Sequence, residues 1–183
     1  CCSPPDICEG KWSFLSYRPT KSLVRKSLFD SLAPFPHESV LDLFAGSGVL
    51  GFEAASRGAG SIVFVDNDKR AISYLKENSN ILAGPQYDFY GSDAFKFLKN
   101  EKSFDLIFAD PPYLKYDMTL LIESVLGHLN KKGKFILECD RKQEPILQAS
   151  FKDYGQTRIL FWENTWKKLF TLEHLTLFIT VIL

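Results

Sequence analysis

Short apolar runs alternate with stretches of helical periodicity, and the alternation repeats four times before residue 110. A strand covered on both faces reads as a continuous apolar run, so the pattern predicts an α/β fold with a mainly parallel sheet between two layers of helices. Strands are expected at Val40 to Phe44, Ile62 to Val65, near Phe89, and at Phe104 to Ala109. Thr20 is placed to cap a first helix that carries Val24, Leu28 and Leu32 on one stripe and ends before Pro34 and Pro36. Gly46-Ser47-Gly48 turns the chain into a helix through Ala55, Asp66 to Asp68 opens a helix bearing Ile72 and Leu75, and a further helix runs from Asp93 to Leu98. With 183 residues and 45% hydrophobic content, the chain has material for one such domain.

Beyond residue 113, Leu120 to Leu129 reads as a helix and Phe135 to Leu137 as a strand introduced by Gly133. Phe151 to Tyr154 and Thr157 to Trp162 read as an antiparallel hairpin closing the sheet, with Gly155 first in a two-residue turn as type II′ prefers. The expected organisation is a divergent or truncated segment at 1–17, a domain at 18–162 and a tail at 163–183 with no assigned role. The most apolar stretch, Leu169 to Leu183, contains Glu173 and His174 and falls short of the roughly 20 residues of a membrane span. No signal-peptide pattern opens the chain, so a soluble, cytoplasmic protein without a membrane partner is expected. Cys1, Cys2 and Cys8 lie together, Cys139 is far away, and the three histidines are isolated from them. Reduced thiols are expected, and no metal site.

The first chemical motif is Asp42-Leu43-Phe44-Ala45-Gly46-Ser47-Gly48, a strand end that becomes a helix start. Glycine suits a turn where a nucleoside-bearing ligand packs on the backbone, and a helix N-terminus offers N–H groups to an anion. Gly46, Gly48 and Gly51 also fit the spacing of a dinucleotide fingerprint, with Asp66 lying 20 positions beyond Gly46. The glycines alone therefore leave a nicotinamide cofactor and S-adenosylmethionine both open. Asp66 ends the second strand, where a carboxylate can accept hydrogen bonds from a ribose diol or cap the next helix. Asp93 has the same two readings, an adenine-amine acceptor or a cap. Phe44 reads as a core residue or as a ring facing a sulfonium.

Asp110-Pro111-Pro112-Tyr113 follows the fourth strand directly. The exocyclic amine of a purine is a poor nucleophile because its lone pair is delocalised into the ring. The Asp110 carboxylate and the Pro111 carbonyl supply two acceptors for its N–H groups, held rigidly because proline fixes φ. Tyr113 supplies a face on which the base can stack. The same residues also suit a helix start, with aspartate as cap and proline in the first turn.

The combination of Val40 to Gly51, the acidic end of the second strand, Asp93 and Asp110 to Tyr113 resembles the class I S-adenosylmethionine-dependent methyltransferases that act on amines. Arg18-Pro19-Thr20, Val24-Arg25, Leu28-Phe29, Leu41 to Gly48, Gly133 to Glu138 and Tyr154 to Thr157 make the chain similar to the RsmD-type bacterial 16S ribosomal RNA guanine-N2 methyltransferases. That resemblance implies a Rossmann-like seven-stranded sheet, S-adenosyl-L-methionine as cofactor, and ribosomal RNA or an assembling small ribosomal subunit as partner. Carried over by position, it implies a cofactor site at Asp42, Gly46, Gly48, Asp66 and Asp93, and a base site at Asp110, Pro111 and Tyr113. Zero formal net charge gives no global attraction for a polyanion, so RNA contact falls to a local cluster, Arg18, Lys21, Arg25 and Lys26. An adenine-N6 methyltransferase on DNA or RNA, a non-catalytic RNA binder and a NAD-dependent oxidoreductase are the alternatives.

Overall fold

A computed structural model describes residues 22–81, 84–112 and 115–164. Along the chain it has α1 (Ser22–Ser31), β1 (Ser39–Leu43), α2 (Val49–Ser56), β2 (Ser61–Asp66), α3 (Lys69–Ser79) and β3 (Gln86–Gly91). There follow α4 (Ala94–Phe97), β4 (Phe104–Ala109), α5 (Met118–Leu126), β5 (Leu129–Asp140), β6 (Ser150–Tyr154) and β7 (Thr157–Glu163). The strands form one sheet in the order β3-β2-β1-β4-β5-β7-β6. β1 to β5 run parallel, and β7 pairs antiparallel with both β5 and β6. The expected α/β sheet with a C-terminal hairpin is therefore present. Chain order reverses between β1 and β4, which makes the crevice at their carboxyl ends the topological switch point.

Side chains alternate across the sheet and divide the core in two. Leu41, Leu43, Val63, Val65, Ile107 and Ala109 pack under α4 and α5, whereas Val40, Ile62, Phe64, Leu106 and Phe108 pack under α1, α2 and α3. Asp42 shares the parity of Val40 and so belongs to the α2 side. Phe29, Phe52, Phe64 and Phe108, all fully buried, make up the bulk of that second layer. Each contributes about 1.5–3 kcal/mol by leaving water. A Cβ at Gly51 would overlap the Phe64 ring, and one at Gly48 would overlap Leu75 and Phe52. Both glycines let α2 lie close on the sheet.

Two boundaries differ from those expected. Asp117 accepts the Leu120 N–H at 3.1 Å and starts α5 at Met118, and the helix stops at Gly127 rather than running to Leu129. Leu129, fully buried, instead begins β5 beside Phe104. The register between β4 and β5 then shifts, with Lys132 at φ 61° and Gly133 where a Cβ would come within 2.9 Å of the carbonyl oxygens of Asn130 and Phe104. Such an irregularity carries no apolar run, which is why only 135–137 read as strand. Gly155 takes φ 65° in the β6–β7 turn.

Candidate active site

Pairing places Leu43 beside Val65 and beside Ala109, so the next residues, Phe44, Asp66 and Asp110, stand in one row at the carboxyl edge of the sheet. Gly91 pairs with Asp66, bringing Ser92 and Asp93 to the same edge. Asp66 and Asp110 are separated by β1, two strand spacings or ~10 Å. Phe44 stands between them.

Phe44 is half-buried and adopts φ 73°. A bulky side chain in that region costs on the order of 1–3 kcal/mol, a strain that recurs at functional turns. Its N–H and that of Ala45 both donate to the Val65 carbonyl at 3.0 Å, which anchors the turn on β2. Its ring packs edge-on against Tyr116, centroids 4.9 Å apart, and both line a cleft with Val65, Asp66, Asn67 and Ser92. Phe44 therefore lines the cleft while also packing against the core cluster beneath it.

Asp66 accepts the Gly46 N–H at 2.8 Å through one oxygen and the Asp68 N–H at 2.8 Å through the other. It ties the glycine turn to β2, while Asp68 caps α3 by accepting from Arg70 N–H at 2.8 Å. Asp93 does cap α4, with Oδ1 accepting from Phe95 N–H at 2.9 Å and Lys96 N–H at 3.3 Å. Its Oδ2 accepts from Tyr116 Oη at 3.0 Å.

Asp42 departs from the expected placing. It lies outside the cleft, only 3% exposed, and accepts the Gly51 N–H at 2.9 Å. The residue before α2 is Gly48, in the left-handed region and without a capping side chain. Asp42 supplies from the adjacent strand the acceptor that Gly48 lacks, satisfying one of the orphan N–H groups of the first turn. Burial, eased by that N–H and reinforced by nearby Asp66, pushes its carboxyl up to about 7. Gly48 likewise serves packing, and of the glycine pair Gly46 is the one bonded to a cleft residue.

Asp110 and Pro111 continue from β4 outside any helix, Pro111 buried and Pro112 exposed. Since α5 begins at Met118 under its own cap Asp117, the helix-start reading of Asp110 does not hold. Tyr113 lies outside the described residues, as do Arg18 and Lys21. Arg25 and Lys26 are on α1, where Arg25 pairs with Glu53 at 3.8 Å and Lys26 with Asp30 at 2.7 Å. Asn67, Ser92 and Tyr116 line the cleft and carry no pattern that would single them out in the sequence. Only their positions just past strand ends, or within seven residues of Asp110, point to them.

The residues around this shallow, solvent-open cleft suit the polar edge and the face of a nucleoside: Asp66 lies in its lining, Phe44 and Tyr116 supply aromatic walls, and Asp93 is hydrogen-bonded to Tyr116 just behind them. Within the adjoining turn, Ser47 Oγ is buried with no hydrogen-bond partner among the described residues. No group of His, Cys, Asp and Glu among the described residues is arranged to hold a metal ion, and no helix there is long and apolar enough to cross a membrane.

Residues 12–163 match the family model described as Conserved hypothetical protein 95. A Bacillus subtilis protein named "Putative rRNA methyltransferase YlbH" is 41% identical over 165 residues, 81% of this chain and 89% of that protein. The Haemophilus influenzae protein named Ribosomal RNA small subunit methyltransferase D is 42% identical over 102 residues, which span 52% of this chain and 53% of that protein. Among solved structures, the Thermus thermophilus protein TTHA0928 superposes with a TM-score of 0.72 at 30% identity, covering 81% of this chain and 89% of that one. With its switch-point cleft and the family match over most of its length, the chain belongs to the Conserved hypothetical protein 95 family, the RsmD-type methyltransferases.

Proposed function

We propose that the protein methylates the exocyclic N2 amine of a guanine in small-subunit ribosomal RNA, using S-adenosyl-L-methionine. The observation that carries this reading is the row of strand ends. Asp110 and Pro111 leave β4 outside any helix, in the same row as a solvent-open cleft lined by Phe44, Asp66 and Tyr116, the last bonded to Asp93. One side of the row accepts a ribose and a purine amine, and the other accepts the amine of a second base. The names of the relatives, as ribosomal RNA methyltransferases, support RNA as the polymer.

S-adenosyl-L-methionine, when bound, supplies a methyl group on a positively charged sulfur. Asp66 accepts from the ribose diol with its remaining lone pairs, and Asp93 accepts from the adenine amine. Across the row, the Asp110 carboxylate and the Pro111 carbonyl accept the N–H groups of the target amine, which turns the nitrogen lone pair toward the methyl group. Tyr113 stacks on the base. No strong base is needed, because the amine proton becomes acidic once the new N–C bond forms, and Asp110 already accepts it. Positioning and electrostatics carry most of the rate enhancement.

RNA contact falls to Arg18, Lys21, Arg25 and Lys26. The acidic partner of Lys26 does not prevent it, since an exposed ion pair is worth about 0–1 kcal/mol and a phosphate can replace a carboxylate, whereas the partner of Arg25, Glu53, is largely buried and also holds Arg57 at 2.8 Å. Isothermal titration tests the donor half. S-adenosylhomocysteine should bind the full chain saturably and NAD should not. Saturable NAD binding without S-adenosylhomocysteine binding would replace this reading with an oxidoreductase.

A further inference from the structure

We propose that Tyr116 is a positioning residue of the cleft, holding Asp93 so that one acceptor site meets a purine 6-amine and thereby selecting amino over oxo purines. The inference rests on the donor reading above and assigns the selectivity of that site to a side chain outside the strand ends.

A carboxylate presents about four lone-pair sites. In Asp93, Oδ1 is committed to two backbone N–H groups of α4, and Oδ2 accepts from Tyr116 Oη at 3.0 Å. Three sites are used by the protein, and the fourth is on Oδ2, the oxygen shared with Tyr116. The hydroxyl can occupy only one place there because its ring is wedged, 4.9 Å from the Phe44 ring and 5.8 Å from Phe95. The same ring lines the cleft beside Asp66 and Ser92. Tyr116 therefore walls the cleft and limits Oδ2 to a single further donor.

The charged groups near the hydroxyl keep it a donor. Burial, the bond to Asp93, and the charges of Asp93 and Asp66 push its phenol up to about 12, and Lys115 Nζ lies 5.8 Å from the ring centroid. A hydroxyl that cannot ionise near neutral pH always points its proton at Asp93. A ligand must then bring a donor of its own to the remaining site: a 6-amine does so, whereas a 6-oxo group sets an acceptor against a carboxylate oxygen.

The test compares S-adenosylhomocysteine with its 6-oxo analogue, S-inosylhomocysteine, by isothermal titration on the full chain and on Tyr116→Phe and Tyr116→Ala. Unaltered protein should prefer the amine by about tenfold or more, the value of one hydrogen bond to a charged group. Tyr116→Phe, which keeps the ring, should lose most of that preference, while Tyr116→Ala should weaken both ligands. An unchanged ratio in Tyr116→Phe, or an equal loss for both ligands in that variant, would show a merely structural tyrosine and overturn the proposal. If unaltered protein binds neither ligand, the donor reading falls and the proposal with it.

Discussion

Replacing Asp42 by asparagine should make the protein progressively more stable than its parent as pH rises. The carboxyl is buried against α2, and its titration point moves from the usual 3.8 to about 7. Because the folded-state value is the higher one, the folded chain holds a proton that the unfolded chain has already released between about pH 4 and pH 7. The unfolded state is therefore favoured as pH climbs, and the stability present below pH 4 is lost by pH 7. About three units at about 1.36 kcal/mol each amount to about 4 kcal/mol in all, of which about 3 kcal/mol falls between pH 5 and pH 8. Asparagine retains an oxygen that can accept the Gly51 N–H and does not titrate, so the variant lacks this slope. Urea unfolding of both proteins at half-unit steps from pH 5 to pH 8 isolates the effect, because titrating groups not coupled to Asp42 cancel in the difference, and Asp66, the carboxylate coupled to it, contributes least to moving its titration point. A stability difference that stays constant within about 0.5 kcal/mol over that range would refute a neutralised Asp42.

Three further outcomes follow from the same geometry. Asp110→Ala should lower methyl transfer by a factor on the order of 10² to 10³ while changing S-adenosylhomocysteine affinity less than about threefold, since the proposed role of the residue is to hold the acceptor amine and not the donor; rapid-quench turnover and titration calorimetry read the two effects apart. Gly51→Ala should lower the urea-unfolding free energy by about 1–3 kcal/mol, because the new methyl group has the Phe64 ring in its place. Cys139, buried and with its thiol pushed up to about 12, should resist iodoacetamide at pH 8 in the folded chain and react once urea unfolds it, as peptide mapping by mass spectrometry would show.

What could be read from the sequence was whatever leaves a periodic or terminal mark. β1, β2 and β4 are apolar runs ending beside aspartates, and their register alone brings Asp66 and Asp110 to one edge. The two readings of each aspartate separated only in three dimensions. Asp68, not Asp66, caps α3, whereas Asp93 caps α4 with one oxygen and keeps the other for Tyr116. Only the family resemblance places Asp42 in the cofactor site, and the alternation of β1 sets it on the α2 side, where it accepts the Gly51 N–H. Its role depends on a helix start that lacks a capping side chain, a deficit visible only once Gly48 is seen in the left-handed region. Phe44 was ambiguous for a similar reason, because its positive φ is a property of the turn and it both lines the cleft and packs against the core. Tyr116 has no motif at all. Its ring meets Phe44 and its hydroxyl meets Asp93, contacts between segments far apart in the chain, so no local pattern marks it.

The central claim is that the row of strand ends joins a donor cleft to a clamp for a guanine amine, and identification of the methylated nucleoside tests it most directly. Unmodified small ribosomal subunits, naked 16S ribosomal RNA and duplex DNA would each be incubated with methyl-labelled S-adenosyl-L-methionine, digested to nucleosides and resolved by chromatography and mass spectrometry. Label on N2-methylguanosine from the RNA or the subunit, lost in Asp110→Ala, is the predicted result. Label on N6-methyladenine, or guanine label undiminished in that variant, would contradict the account.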